Sequence, residues 1–588
     1  MINRVSERKM HLVRWVLAIG WLILIVSLFY DPISHHLSDP NNLYSPFRDR
    51  LITHANIPDL CVRVRDECLP QTPYPIANRL FWGTIVPSAI AIVFVLGHET
   101  WRRVCPLYFL SQIPRALGLN PRLSIDKNLW LVRNHLYVQF ALLFIGLNCR
   151  ILFVNSARIV FGCFLLFTIF SAITIVWLYG GRSWCHYVCP FGVVQMVFTG
   201  PRGLFDSQAH KAPPRSITQS MCRTVDSTGR EKSTCINCKS ACFDIDAEKS
   251  YWEDLTKPGR KLLQYGYLGL VSGYFIYYYL YAGNFDYYFS GAWTHEENQL
   301  ATLLKPGFYF DLFPIPKLVA VPLTLALFVS IFCFIGSKSE KALFSYWRRR
   351  EPKIERQQVL HRVFSVCTFI AFNAFFIYGG RPEILRLPFL VQQIFNASIV
   401  LVSSVWLQRT WNRSSQQYSK ESLTHRLRRQ LKKQPFDLAG LQGRSLNELN
   451  ADELYVLATT LPDAIERDRY RVYQGILQEA LAEKLFEPNI SKEALKQVRQ
   501  KLQLTDEEHD RILTKILQQQ PHLVYPVVKQ KSKLSLVRTK LKTTSKNSII
   551  AKPMRRNYLS QAPTQIKSAN KQNRSCLQNA ITEIKQSK

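Results

Sequence analysis

A chain of 588 residues, 47% of them hydrophobic, with 75 Lys and Arg against 42 Asp and Glu and a net charge of +33, is long enough for several domains. Such a charge suits nucleic acid or an anionic membrane surface, but no nucleic-acid-binding motif accompanies it, which argues against a nucleic-acid partner. No Walker loop, dinucleotide fingerprint, Ser–His–Asp order or zincin motif is present either, so the enzyme classes those would mark are excluded.

The apolar residues are gathered into runs of the length that crosses a bilayer core of roughly 30 Å. Taken in chain order they predict eight membrane-spanning helices, at 11–30, 80–97, 132–152, 158–179, 261–282, 318–336, 362–379 and 388–408. The first is too long for a signal-peptide core and lacks a small-residue cleavage site after it, so it is read as a retained span. Lys and Arg crowd the N-terminal arm (Arg4, Arg8, Lys9, Arg14), the segment after the second span (Arg102, Arg103, Arg115, Arg122, Lys127) and the segment after the sixth (Lys338, Lys341, Arg348, Arg349, Arg350, Lys353, Arg356). The inside-positive rule makes these segments cytoplasmic and, with eight spans, places both termini inside. The loops at 31–79 and 283–317 lack such an excess and fall outside.

The outer loop 31–79 carries Cys61 and Cys68, whose short spacing on an oxidising side suggests a structural disulfide. After the second span comes "WRRVCPLYFLSQ" (101–112), expected as a cytoplasmic Cys-Pro loop over 98–130. After the fourth comes "RSWCHYVCPFGVVQ" (182–195). Both read Cys-Pro, then apolar residues, then Gln (Gln112, Gln195), the mark of a decayed internal repeat. The partner cysteine of Cys189 is Cys185; the corresponding position in the first copy is Trp101. Such a Cys-Pro can also simply end a helix. Thiols on the cytoplasmic side stay reduced, so clustered cysteines there suggest metal or redox chemistry before disulfides.

The richest cluster is "STCINCKSACFDID" (233–246), with C-x2-C-x3-C spacing at Cys235, Cys238 and Cys242. These match the last three cysteines of the bacterial ferredoxin run C-x2-C-x2-C-x3-C-P. The first position holds Lys232, and Phe243 stands where the proline would be. Cys222 is the nearest replacement, brought round by the loop "RTVDSTGREKST". A closed four-cysteine zinc site is the alternative, although the second cysteine pair of a zinc finger usually lies far from the first.

The combination of several spans, a C-x3-C-P end on the cytoplasmic side and a ferredoxin-type loop beside it, over roughly 80–260, resembles the membrane-bound polyferredoxin family. That family includes the regulator-like proteins of nitrous oxide and periplasmic nitrate reduction and a cytochrome-oxidase assembly protein with copper-reductase activity. The resemblance implies a cytoplasmic iron–sulfur module docked on a membrane core and passing electrons. Family members often carry two complete four-cysteine sets. Here Lys232 and Trp101 break them, and seven candidates (Cys105, Cys185, Cys189, Cys222, Cys235, Cys238, Cys242) cannot supply eight thiolates. One 4Fe–4S cluster is therefore expected, with a second incomplete or borrowing a ligand such as His186. The simpler ligand set is Cys222, Cys235, Cys238 and Cys242; in the other, Cys242 joins Cys185 and Cys189, as the last cysteine of a run does in two-cluster ferredoxins. The periplasmic flavin domain of some relatives is absent, because the outer loops are too short for one.

Four histidines, His98, His135, His186 and His361, fall near the cytoplasmic face, where a haem or a quinone contact competes with their ordinary preference for membrane boundaries. Arg150, at the outer end of the third span beside Asn148, is expected to snorkel to water. The aromatic outer loop over 283–317 reads as an interface anchor or as a docking surface for an outside redox partner.

Residues 409–434 form a basic linker. Residues 435–520 read as a four-helix interaction module with capping boxes at Ser445–Glu448 and Thr505–Glu508. Residues 521–588 read as a basic disordered tail. The expected fold is thus an all-α polytopic membrane protein: helices 1–4 over 1–180, a ferredoxin-type iron–sulfur region over 181–260, helices 5–8 over 261–408, and the soluble segments behind them. The expected function is electron transfer in the inner (plasma) membrane between a cytoplasmic donor and a membrane or extracytoplasmic acceptor, a quinone or an outside redox partner being the candidates. The alternative is an iron–sulfur redox sensor, or a metal-reducing assembly factor for a respiratory enzyme.

Overall fold

The structure, a computed structural model, describes residues 7–205 and 246–431 apart from short gaps (46–60 the longest), the strands at 223–225 and 231–233, and parts of 453–519. It separates into two compact units, Met1–Ser414 and Ser415–Lys588.

Among the described residues, the first unit holds twelve principal helices. They are α1 (Glu7–Phe29), α2 (Ile76–Leu96), α3 (His98–Val104), α4 (Pro106–Ser111), α5 (Leu129–Val154), α6 (Arg158–Tyr179), α7 (Phe191–Thr199), α8 (Ala247–Asp254), α9 (Pro258–Ala282), α10 (Lys317–Arg350), α11 (Arg356–Gly379) and α12 (Phe389–Trp411). Two hairpins accompany them: β1 (Cys61–Val64) with β2 (Glu67–Pro70), and β3 (Arg223–Val225) with β4 (Glu231–Ser233). The first hairpin places Cys61 and Cys68 on paired strands, and Cys68 is disulfide-bonded.

Among the described residues, seven helices are long and apolar enough to cross a membrane: α1, α2, α5, α6, α10, α11 and α12. Their outward faces carry bare large hydrophobics, such as Leu12, Val16, Ile23 and Val26 on α1 and Phe389, Leu390, Ile394 and Leu401 on α12. Water would not tolerate so continuous an apolar surface, and lipid does. The remaining expected span, at 261–282, is also a helix, α9, but its tyrosines and glycines keep it below the apolarity of the other seven. The reason is its place. At 25 residues it is about 37 Å long, and it is wrapped by its neighbours, with Leu263, Leu270, Tyr277 and Tyr278 buried. A helix in contact with protein on most sides needs small residues for close approach more than it needs lipid solubility.

Gly269 and Gly273 make that approach. A Cβ on Gly269 would stand 2.7 Å from Phe328 O and 2.8 Å from Val329 Cα of α10, and one on Gly273 would stand 3.0 Å from Phe328 Cβ. The obstacle at Gly269 is backbone and cannot rotate away. Gly269→Ala should therefore destabilise the α9–α10 contact by about 1–3 kcal/mol, read as a lower thermal unfolding midpoint in detergent; an unchanged midpoint would show that the two helices do not pack this closely. Polar ties close the bundle elsewhere. Gln264 Nε2 donates to Phe364 O (3.0 Å) and Thr368 Oγ1 (2.8 Å) of α11, and Glu340 of α10 binds both Lys261 (2.6 Å) and Arg356 (3.0 Å).

Two sequence expectations change here. The run at 318–336 is part of a 34-residue helix, α10, ending on Arg348, Arg349 and Arg350; at about 50 Å it exceeds the bilayer core. Arg150 does not snorkel. It is 8% exposed and lies over the rings of Trp82 (3.9 Å) and Tyr274 (4.8 Å), with Nε donating to Asn155 Oδ1 (3.3 Å). Aromatic faces from α2 and α9 hold the charge by cation–π attraction, which makes the exit to water unnecessary.

In the second unit, Ser415–Leu431 and Asp506–Gln519 are helices. The Thr505–Glu508 capping box is formed, Thr505 N donating to Glu508 Oε2 (2.7 Å) and Glu508 N to Thr505 Oγ1 (3.3 Å). The Ser445–Glu448 box and most of the expected four-helix module lie outside the described residues, as does the 521–588 tail.

Candidate iron–sulfur centre

Two short arms leave the membrane at Gly97 and Gly180. Both glycines stop a helix in the same way, with φ 79° and ψ 171° at Gly97 and φ 71° and ψ 178° at Gly180. Positive φ is open to glycine without a Cβ penalty, so each apolar helix ends there and the chain turns back along the rim. Eight residues on comes Cys105, and nine residues on comes Cys189.

Each cysteine is followed by proline, which bars the preceding residue from helical backbone and itself opens a new helix. Cys105 (φ −59°, ψ 115°) and Cys189 (φ −54°, ψ 119°) have almost the same conformation and stand at the same break, before α4 and α7. The extra residue of the second arm is absorbed by a single π turn, Trp184–Val188. Cys189 N bonds to Trp184 O five residues back (2.8 Å), whereas Cys105 N bonds to Trp101 O four residues back (3.0 Å). The repeat in the sequence is thus a repeat of backbone geometry. The expected loop at 98–130 is largely helical, as α3, α4 and a further turn at Ile113–Ala116.

The arms dock on each other. Trp101 packs against Phe191 at 4.9 Å between rings, Gln112 Nε2 donates to Gly181 O (3.2 Å), and the Arg182 guanidinium lies 4.2 Å over the Tyr108 ring. From the membrane side, α5 supports the second arm through Gln139 Nε2, which donates to Cys185 O (3.1 Å). The result brings Cys105, Cys185 and Cys189 together, near enough for each charged thiolate to be felt by the others. Around them lie Leu107, Ala172, Val176, Trp184 and Phe191. Burial in this apolar setting, with Cys185 adjacent, pushes the Cys105 thiol up to about 12. Burial pushes Cys189 in the same direction, with Cys185 and Cys105 adding to it.

Two buried thiols that resist ionisation, with Cys185 beside them, make a donor set that calls for a polycation. Iron bound among them would supply the missing positive charge and hold all three deprotonated. Among the described residues no three His, Cys, Asp or Glu side chains surround one point closely enough for a single metal ion. Ligands of a cuboidal cluster each cap a different iron and need not converge on one point, as the ligands of a zinc ion must. Three cysteines gathered at the rim are the donor type a 4Fe–4S cluster uses.

The other expected ligands, Cys222, Cys235, Cys238 and Cys242, lie outside the described residues. The β3–β4 hairpin between Cys222 and Cys235 pairs Arg223 with Ser233. Of the histidines, His361 is taken out of any ligand role: Nδ1 is bonded to Tyr251 OH (2.9 Å) and Nε2 to Thr410 O (2.8 Å). His98, His135 and His186 are buried at the rim, and His135 Nδ1 is bonded to Val132 O (2.9 Å). Arg182, Tyr108 and Gln139 were not singled out from sequence. The one local signal was the Arg-x-x-Cys spacing shared by Arg102–Cys105 and Arg182–Cys185.

Comparison with known proteins agrees with this chemistry. Residues 163–206, from α6 through the second arm to just past α7, match the family model described as a 4Fe-4S binding domain. No curated protein and no solved structure matches the chain. The protein is an iron–sulfur protein with apolar membrane helices.

Proposed function

We propose that this protein carries electrons at the cytoplasmic rim of the inner membrane, between a cytoplasmic donor and a quinone or an extracytoplasmic acceptor. The observation that carries the reading is the meeting of Cys105, Cys185 and Cys189 in and beside the stretch that matches a 4Fe–4S binding domain. In this reading they are three ligands of one cluster, and Cys242 completes it. Cys222, Cys235 and Cys238 hold a second, with one ligand that is not cysteine. The β3–β4 pairing supports the second set, because it folds the chain between Cys222 and Cys235 back on itself. In this reading α9, the fifth expected span, crosses the membrane with the other seven, and both termini are cytoplasmic, as the Lys and Arg distribution favours.

A 4Fe–4S cluster supplies one-electron chemistry at a potential set by its surroundings. The chain's part is positional: two glycine-ended helices and two Cys-Pro breaks hold the thiols at the membrane boundary, and apolar neighbours exclude water.

Anaerobic purification followed by iron and acid-labile sulfide counts tests this. Two clusters give about eight of each, with low-temperature EPR signals after dithionite reduction. About four irons, lost on Cys238→Ala but untouched by Cys185→Ala, would overturn the rim cluster; stoichiometric zinc without sulfide would overturn the electron-transfer reading altogether.

A further inference from the structure

We propose that Arg182 sets the reduction potential of the rim cluster, holding it higher than the apolar site alone would; this rests on the rim cluster of the proposed function. Arg182 is 3% exposed, in an arm whose neighbours are largely apolar. Its Nη2 lies 3.9 Å from Cys185 Sγ, its guanidinium is stacked on Tyr108 of the opposite arm, and its positive charge acts on Cys105 as well. One cation thus contacts Cys185 and is felt electrostatically at Cys105 of the other arm, and the Tyr108 stack fixes its orientation.

The physical consequence has a sign. One-electron reduction adds a negative charge to the cluster and makes or breaks no bond. Burial among Leu107, Trp184 and Phe191 opposes that added charge, which lowers the potential. A buried guanidinium beside the ligand sulfur favours it, by Coulomb attraction in a medium less polarisable than water and by N–H···S donation to the more basic reduced state. Reduction therefore becomes easier with Arg182 present. The position also explains why the residue is arginine. A planar, permanently charged group can stack on a ring and point a donor at a sulfur at the same time, and lysine cannot do both.

Glu248, by contrast, is buried between Arg202 and Arg413, and Glu340 is held by Lys261 and Arg356, so those cations already have carboxylate partners. Arg158 at the outer end of α6, paired with Asp31, is a suitable control.

The test is an EPR-monitored redox titration of the full-length protein in detergent, with dithionite as reductant. It follows the signal that Cys185→Ala abolishes. Arg182→Met should keep iron and sulfide at wild-type levels and shift the midpoint to more negative potential. Arg182→Lys should shift it less, and Arg158→Met should leave it in place. A retained cluster with an unmoved midpoint in Arg182→Met would overturn the proposal while leaving the cluster assignment intact. If Arg182→Met loses iron, Arg182→Lys decides: a cluster kept near the wild-type midpoint supports the role of charge, and loss of the cluster there too reduces Arg182 to a structural residue. Absence of any Cys185-dependent signal in the wild type would instead overturn the proposed function.

Discussion

Cys189→Ala should strip the purified protein of about half its iron and labile sulfide, one cluster of two, while Cys163→Ala leaves both counts unchanged. The contrast matters because the 163–206 stretch that matches a 4Fe–4S binding domain contains three cysteines, and composition does not distinguish them. Structure does. Cys163 is exposed on the apolar helix α6, whereas Cys189 is buried at the Cys-Pro break beside Cys185. Alanine is the informative replacement, since serine would leave an oxygen able to bind iron. The fold should survive it, because Cys189 is a small side chain and the break is made by Pro190 and the Trp184–Val188 turn. Loss of iron in Cys163→Ala, or full retention in Cys189→Ala, would place the cluster elsewhere.

Lys317→Met should produce the largest loss of stability of any single change outside the iron–sulfur site. Lys317 and Glu296 form an ion pair (3.3 Å) with side chains only 2% and 8% exposed. The carboxylate also accepts from Tyr281 OH (2.6 Å), Tyr287 OH (2.8 Å) and Gln299 Nε2 (3.2 Å), and the ammonium lies 4.3 Å over the Tyr281 ring. The pair therefore ties the aromatic loop over 283–317 to both α9 and α10. Removing one partner strands a buried charge, at about 3–5 kcal/mol. The measurement is the unfolding midpoint in detergent, and the double variant Glu296→Gln with Lys317→Met should recover part of the loss. Equal midpoints for Lys317→Met and wild type would show that the loop is held by its aromatic residues alone.

The same carboxylate predicts a pH response. Burial raises its affinity for a proton, but Lys317 and the Tyr281, Tyr287 and Gln299 hydrogen bonds outweigh burial and hold its folded pKa below the ordinary 4.5. A lowered folded pKa contributes stability that is complete above the unfolded value and is lost as pH falls through the folded one. Unfolding midpoints should therefore be insensitive to this pair near neutrality and drop in acid below about pH 4.5. Glu296→Gln should flatten that drop.

Much of the architecture was legible in the residues. The apolar runs became the long helices α1, α2, α5, α6, α10, α11 and α12, because transfer into lipid is summed residue by residue along one segment. The two Cys-Pro pairs announced the breaks in the arms for an equally local reason: proline acts on its own backbone and that of one neighbour. The Thr505–Glu508 box was readable on the same grounds. Reading failed where distant groups answer one another. Arg150 looked bound for water until Trp82 and Tyr274, from two other helices, closed over it. His361 looked available until Tyr251 and Thr410 took both its nitrogens. The polar character of α9 makes sense only with its neighbours in place.

By itself, then, the sequence determined that this is a multi-helix membrane protein whose cysteines and Cys-Pro breaks suit iron–sulfur chemistry, since hydropathy, helix stops and ligand spacing are all properties of short stretches. Only the tertiary structure decided that Cys105, 80 residues before Cys185 in the chain, stands with Cys185 and Cys189, and that Arg182 lies against Cys185 while stacking on Tyr108 of the other arm. Those meetings depend on how Trp101, Tyr108 and Gln112 of one arm pack on Phe191, Arg182 and Gly181 of the other. No local propensity encodes such contacts, because their energy exists only once both helices that carry the arms have been placed side by side.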